Sequence, residues 1–158
     1  MLRLFSAGSG EEVAALDASE FDAMVAERGS TVASLKRHLA ETLFEKRYSR
    51  FQLRILREGD PTELHDDKEV VLPMDLQLIF MNHLPADRSR DLRFVDSCQH
   101  GRVDEVKQSL EALQDPNVSG ECGASALVLA AGRGRFDVLQ LLLEAGAKRS
   151  ENTILFWM

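Results

Sequence analysis

The stretch LVLAAGRGRFDVLQLLLEAGAKRS, residues Leu127–Ser150, contains the strongest fold signal in the chain. It begins with a short apolar run that ends at Gly132-Arg133-Gly134, where a glycine favours the left-handed conformation that closes many helices. The run that follows is amphipathic, with apolar residues at helical spacing: Val138, Leu141, Leu142 and Ala145. The stretch therefore predicts two helices joined by a tight turn.

A similar pattern occurs 33 residues earlier. At this shift the aligned pairs are Gly101 with Gly134, Val103 with Phe136, Asp104 with Asp137, Val106 with Leu139, Leu110 with Leu143 and Ala112 with Ala145. Each copy is predicted to form helix, glycine, helix, with Asp104 or Asp137 opening the second helix as its N-cap. Leu113 stands where Gly146 stands in the later copy, so the second helix of the first copy is expected to end differently.

The 33-residue period and the run LxLAAGRGRFDVLQLLLEAGA resemble an ankyrin repeat over Ser125–Ala147. Leu92–Val118 resembles the first, capping repeat of such an array, although the family's Thr-Pro-Leu-His opening is replaced by Ser125–Val128 in the second copy. The resemblance implies a small all-α stack that binds partner proteins through its first helices and hairpins. Transferred position by position, the implied protein-binding residues are Gln99, His100, Glu121, Arg133 and Arg135.

The pattern breaks after Ala147. Thr153–Phe156 is a candidate opening of a third repeat, but it follows Ser125 by only 28 residues, five fewer than the period. Two interpretations remain open: the apolar end ILFWM covers the open end of the stack, or the chain is a shortened form of a longer array. At least about three repeats are usually needed for an independently stable array.

Residues 1–82 instead show short alternating runs around one helix. MLRLFS and EEVAALD flank the turn-rich Ala7–Gly10 and predict a hairpin, and FQLRILREG and DLQLIF alternate as half-buried strands do. Ser30 or Thr31 is the expected N-cap of the helix, and an additional short helix capped by Ser19 is predicted in SEFDAMVAERGS. The main helix has an apolar stripe of Val32, Leu35, Leu39 and Leu43, with Lys36, Arg37 and Glu41 expected on the solvent side.

This series of elements resembles the β-grasp of a ubiquitin-like domain, through TVASLKRHLAETLF for the helix and through FQLRILREGD and MDLQLIFMNHL for strands. Conjugation to other proteins is not expected, because Met81–Leu84 lies in mid-chain where conjugated relatives end in Gly-Gly. The apolar patch by which ubiquitin is recognised corresponds here to Arg54, Gln77 and Ile79. Burying Arg54 in a ubiquitin receptor would cost several kcal/mol unless its charge is paired.

The predicted fold class is therefore α+β, with an N-terminal ubiquitin-like β-grasp domain and a short all-α ankyrin stack. The expected boundaries are 1–83 for the first domain, 84–91 for an exposed linker, and 92–158 for the repeats. Repeat one covers about 92–120, repeat two about 121–150, and a truncated third 151–158.

Charged residues are unevenly distributed in the N-terminal half. Seven basic residues, Lys36, Arg37, Lys46, Arg47, Arg50, Arg54 and Arg57, precede six acidic ones, Glu58, Asp60, Glu63, Asp66, Asp67 and Glu69. One interpretation is a solvated surface with both signs. The other is a basic docking face for an acidic partner.

Composition and motifs point away from catalysis. The formal charge of −7 and pI of about 5.1 argue against nucleic acid and membranes as partners. Cys98 and Cys122 fit reduced thiols rather than a disulfide or metal site, and Cys98 and His100 do not share a helix face. Gly132–Arg135 lacks the Lys-Ser/Thr of a phosphate loop. The remaining candidates are interpreted as loop or exposed residues: Asp66, Asp67, Asp87 and His38.

These observations predict no catalytic residues, no cofactor and no metal. The expected function is that of a non-enzymatic adaptor or scaffold, a monomer in the cytoplasm or nucleus that is not secreted and binds other proteins. Two alternatives remain: the N-terminal, substrate-recruiting part of a larger ubiquitin-pathway enzyme, and a shuttle that delivers cargo for degradation.

Overall fold

The structure, a computed structural model, describes residues 1–44, 47–60 and 62–149, except for the side chain of Leu43. The chain divides into two compact units, Met1–Met81 and Asn82–Met158, each with its own core. The predicted third repeat, including Thr153–Phe156 and the ILFWM end, lies outside the described residues.

The first unit is built on a four-stranded mixed sheet. Its strands are β1 (Leu2–Ser6), β2 (Glu12–Leu16), β3 (Leu53–Arg57) and β4 (Met74–Phe80), in the order β2-β1-β4-β3. β1 and β2 form the predicted antiparallel hairpin, β4 pairs with β3 in antiparallel fashion, and β1 and β4 run parallel at the centre. The combination of this sheet with helices confirms the α+β class.

Alternation along the strands sets which side of the sheet is buried. Leu53 and Ile55 are buried while Arg54 is on the opposite side, and Leu76 and Leu78 alternate with Gln77 and Ile79, as predicted. The helices contribute their apolar residues to the same cluster. Its buried members are Leu2, Leu4, Leu16, Phe21, Met24, Val32, Leu35, Leu39, Ala40, Leu53, Ile55, Val70, Leu76 and Leu78.

Between the hairpin and β3, the described residues form two α-helices and, just before β3, a 3-10 turn at Arg50–Gln52. The predicted additional helix is α1, Ala18–Arg28, but its N-cap is Asp17 rather than Ser19. Asp17 accepts from the backbone N–H of Glu20, whose carboxylate accepts from the N–H of Asp17 in return, and two free helix-end donors are thereby satisfied. The main helix, α2 (Val32–His38), is capped by Thr31 and continues into a π-helical turn, Leu39–Leu43.

Lys36 is buried, and its predicted place on the solvent side of α2 is therefore wrong. Its side chain is 3% exposed, and the ammonium Nζ lies 2.7 Å from Asp66 Oδ1 and 3.8 Å from Glu63 Oε1. A charged amine is removed from water at this depth only where an anion compensates it. Asp66, predicted as a loop residue, supplies that charge from the long segment between β3 and β4.

Up to residue 149, where the description ends, the second unit forms two helix pairs: α3 (Arg88–His100) with α4 (Val103–Glu111), and α5 (Ala126–Gly132) with α6 (Phe136–Glu144). α3 packs on α5, and α4 packs on α6. The segment expected to be a linker, 84–91, is helical from Arg88 onward, with Asp87 as N-cap. Within this segment, Arg90 and Asp91 bind the buried side chain of Gln114 at 2.9 Å each.

The second helix of each pair begins without a side-chain cap. Arg102 and Arg135 occupy the N-cap positions, so the assignment of Asp104 and Asp137 as N-caps is wrong. Both aspartates lie in the first turn, where a negative charge compensates the partial positive charge of the helix end. The preceding glycines have the predicted left-handed backbone, with φ of 70° at Gly101 and 66° at Gly134.

The second helices also end alike, which contradicts the expectation for Leu113. Leu113 has φ of 68° and Gly146 has φ of 89°, so the leucine adopts the backbone conformation that its glycine counterpart adopts easily. The hydrogen bonds match as well: Gln114 N–H donates to Ser109, and Ala147 N–H donates to Leu142, at the same spacing. Packing of the Leu113 side chain, 9% exposed, offsets this backbone strain.

Substituting Asp66→Asn is expected to lower the free energy of unfolding by about 1–3 kcal/mol, because the buried Lys36 ammonium loses its nearest anion. The matched control is Asp67→Asn at the exposed neighbour, which is expected to change stability by less than about 0.5 kcal/mol. Urea unfolding of the full chain measures both. Equal stability of the two variants would contradict the role given to Asp66.

Leu113→Gly is expected to be more stable than Leu113→Ala by about 1 kcal/mol, since both lose the buried side chain but only glycine relieves the left-handed strain. Gly146→Ala, where an added Cβ meets no atom within 4 Å, should lose about the same amount through backbone strain alone. Thermal unfolding compares the three variants. If the Leu113→Ala protein were as stable as the Leu113→Gly protein, the left-handed conformation would carry no cost at this position.

Candidate functional site

A groove follows one face of α3 in the second unit. Six α3 residues line it at helical spacing: Arg88, Asp91, Leu92, Val95, Asp96 and Gln99. Two open clefts of about 320 and 380 Å³ share Leu92 and form its two halves. α3 packs on both α4 and α5, and within this stripe Val95 is buried while Leu92 and Gln99 remain partly exposed.

A hairpin forms the opposite wall of the groove. Ser119 and Ser125 pair across it, and the N–H of Gly120 donates to the carbonyl of Ala124 at 2.9 Å. A Cβ added at Gly120 would lie 3.2 Å from Val95 Cγ1 and 3.4 Å from Leu129 Cδ1. The absent side chain at Gly120 therefore lets the hairpin backbone approach the apolar floor closely.

Both apolar and polar side chains line the groove. Leu92, Val95 and Leu129 provide the apolar surface, and Asp96, Gln99 and Glu121 provide polar groups. Asp96 is already engaged, with His100 Nδ1 at 3.2 Å and Arg102 at 3.2 Å. Within the described part of the chain, Glu121 is exposed and makes no hydrogen bond or ion pair. An apolar surface with polar groups beside it is the usual composition of a peptide-binding site.

Basic residues lie at the turns beyond Gln99. Arg135 Nε donates to the carbonyl of Gln99 at 3.3 Å, and the Arg135 side chain passes over Gly101. Arg133 is exposed at the end of α5, and His100 is half-exposed at the end of α3. Of the predicted residues in this unit, Gln99 and Glu121 line the groove, whereas His100, Arg133 and Arg135 do not. His100 and Arg135 lie close to Gln99.

The other predicted residues, Arg54, Gln77 and Ile79, lie on the outer face of the sheet in the first unit. Arg54 pairs directly with Ile79 across β3 and β4, and Gln77 lies between Leu56 and Phe5. All five side chains are partly exposed. The sequence analysis did not include Phe5 and Leu56 in this outer face. Each follows a buried residue, Leu4 or Ile55, and successive residues of a strand point to opposite faces, so the strand pattern does indicate their outward position.

The charge of Arg54 is compensated within the unit. Its Nη1 donates to the carbonyl of Phe51 at 2.8 Å, and its Nε lies 3.3 Å from Glu63 Oε1. The predicted cost of burying Arg54 in a receptor applied to an unpaired charge, and the charge of Arg54 is paired here. Together with Lys36 and Asp66, these contacts show that members of the basic and acidic runs pair with each other, which argues against a separate basic docking face.

The buried thiol and the half-buried histidine are poor candidates for chemistry. Burial of Cys98 raises the pKa of its thiol to about 12. His38, expected to be exposed, is half-buried instead, and desolvation, followed by the charge of Arg28, lowers its pKa. Among the residues that the structure describes, no three histidine, cysteine or acidic side chains converge as a metal site.

Comparison with known proteins adds no family assignment: no protein-family model and no curated protein matches the chain. In the described ranges, none of the helices has both the length and the apolar character needed to span a bilayer.

Brief alkylation of the folded chain with iodoacetamide at pH 8 is expected to modify Cys122 and to leave Cys98 unmodified. Cys122 is exposed, whereas burial keeps the Cys98 thiol protonated and inaccessible. Mass spectrometry of the two cysteine-containing peptides measures the ratio, and alkylation in denaturant provides the control in which both react. Equal modification in the folded state would contradict the buried, unreactive state of Cys98.

Proposed function

We propose that the protein is a non-enzymatic adaptor that binds partner proteins through its second unit. The observation that carries this proposal is the α3 groove, where Leu92 and Leu129 stay partly exposed beside Glu121, a carboxylate without a hydrogen bond or ion pair in the described part of the chain. The partners are other proteins rather than nucleic acid or membranes, in keeping with the net charge of −7. The proposed location is the cytoplasm or nucleus, and the proposed state is a monomer.

An ankyrin-type second unit is part of the proposal. It is supported by the 33-residue relation between α4 and α6, which have equal length and equivalent boundaries. It is also supported by the left-handed residues that recur at both turns and by the hairpin that precedes α5. In such a stack the first helices and hairpins form the binding surface, which includes Gln99 and Glu121.

The proposal also includes a ubiquitin-like first unit. The central parallel pairing of β1 and β4, with antiparallel strands outside it, supports this assignment. Support also comes from α2 and the π-helical turn after it, which bury Val32, Leu35 and Leu39 in the same core. The mid-chain position of Met81–Leu84 favours a domain used for binding rather than for conjugation.

A second candidate function uses the outer face of this sheet. Phe5, Leu56 and Ile79 are partly exposed there, and Arg54 is compensated by Glu63. A receptor that covers this face would not leave the arginine charge unpaired. This observation favours the role of a degradation shuttle, or of the substrate-recruiting part of a larger ubiquitin-pathway enzyme, as the alternative to a simple scaffold.

The test is affinity capture with a variant in which Gln99, His100, Arg133 and Arg135 are all alanine. Captured proteins are expected to fall by about tenfold or more, because these side chains contact the partner at the groove end and its basic edge. A control variant replaces four exposed residues of the same unit that lie away from the groove: Lys107, Gln108, Gln140 and Lys148.

The control variant is expected to capture the same proteins as the unaltered chain. Unchanged capture by the first variant would overturn the assignment of this surface. If Ile79→Glu then abolished capture, the alternative based on the sheet face would be supported instead.

A further inference from the structure

We infer that the α3 groove takes an extended segment of its partner, about five residues long, that places one lysine or arginine next to an apolar side chain. The inference rests on the proposed function, because it names the partner of the same groove. It depends on three features of the groove: its length, its apolar centre and the sign of the charges around it.

The length of the groove selects the size of the segment. Its α3 wall extends from Arg88 to Gln99, a separation of 11 residues, which corresponds to about 16 Å at the α-helical rise. An extended chain covers about 3.3 Å per residue, so about five residues span this distance.

The centre of the groove provides the apolar contact. Leu92, shared by both halves, Val95 and Leu129 line it, and the backbone of Gly120 lies against Val95 and Leu129. Val95 is buried, whereas Leu92 and Leu129 remain partly exposed in the free protein. One leucine, isoleucine or phenylalanine of the partner would bury these two side chains further, which favours binding through the hydrophobic effect.

The charges around this centre favour a cation. Asp91, Asp96 and Glu121 line the groove against a single basic residue, Arg88, at one end. Asp91 is engaged by Gln114, and Asp96 is shared by His100 and Arg102, so Glu121 is the carboxylate with unused capacity. A partner lysine or arginine beside the apolar side chain therefore meets Glu121 at the hairpin.

The same distribution disfavours a polybasic tract. Arg135 binds the carbonyl of Gln99 at the far end of the groove, and Arg88 lies at the near end. Several consecutive cations would place like charges near each of these arginines, and like-charge contacts weaken association. The selected segment therefore has one central cation.

The test uses an array of immobilised seven-residue peptides with a central leucine, isoleucine or phenylalanine. Neighbouring positions carry lysine, arginine, glutamate, aspartate or alanine, and the full chain is detected through an N-terminal tag. Peptides with one basic neighbour are expected to bind best. Glu121→Lys is expected to weaken the binding of these basic peptides by about fivefold or more and to favour acidic peptides instead.

Two further variants separate the groove from other surfaces. Leu129→Ser removes an apolar groove residue and is expected to reduce binding of all selected peptides, while Val128→Ser, its partly exposed neighbour outside the groove lining, is expected to retain it. Asp104→Lys, on α4, has the same charge change as Glu121→Lys and is expected to leave the basic preference intact. Thermal unfolding checks that each variant is folded.

The outcomes separate this inference from the proposed function. The inference would be overturned if the chain selected acidic peptides, if it selected peptides without regard to charge, or if Glu121→Lys kept the preference for basic peptides. In each of these cases, loss of peptide binding in Leu129→Ser would still identify the groove as a binding site. If no peptide bound but protein capture still depended on Gln99, His100, Arg133 and Arg135, the extended-segment inference would fail and the adaptor proposal would stand. If no peptide bound and protein capture did not depend on these four residues, both the extended-segment inference and the adaptor proposal would be overturned.

Discussion

The ion pair between Lys36 and Asp66 holds the connection between β3 and β4 against α2, and the sheet depends on that connection. Backbone bonds act beside it: the N–H groups of Val32 and Ala33 donate to the carbonyls of Lys68 and Asp66. The first turn of a helix has no acceptors of its own, so the connecting segment satisfies donors that would otherwise need water. Once anchored there, the chain returns to the sheet and β4 pairs in parallel with β1 at its centre.

The second unit shows a similar dependence on one conformation, that of the residue after each second helix. Leu113 and Gly146 both have positive φ, and the residues that follow them make equivalent hydrogen bonds. Gln114, next to Leu113, then binds Arg90 and Asp91 at the start of α3. With the helices fixed in this way, one stripe of α3 residues lines the groove, so the proposed binding surface is a consequence of the fold.

Several features followed directly from local sequence patterns. Alternation in FQLRILREG and DLQLIF placed Leu53, Ile55, Leu76 and Leu78 in the core, and the glycines at 101 and 134 marked the helix turns. The errors have a common cause, since each concerned a residue with more than one acceptable local role. Ser19 is a good cap, but Asp17 with Glu20 satisfies two donors. Glu121 was correctly placed in the hairpin, whereas the convergence of Gln99 with it required the packing of α3 against α5.

The sequence by itself determined the α+β class, the order of the elements, the faces of the strands and the 33-residue relation between the two helix pairs. These properties depend on the period of apolar residues and on glycine conformations, which are local. The tertiary structure decided that Lys36 is buried, that Arg54 is compensated by Glu63, that Leu113 adopts a left-handed conformation and that a groove exists between α3 and the hairpin. Each of these depends on partners distant in sequence, because burial and pairing free energies are set by the neighbours that folding brings together.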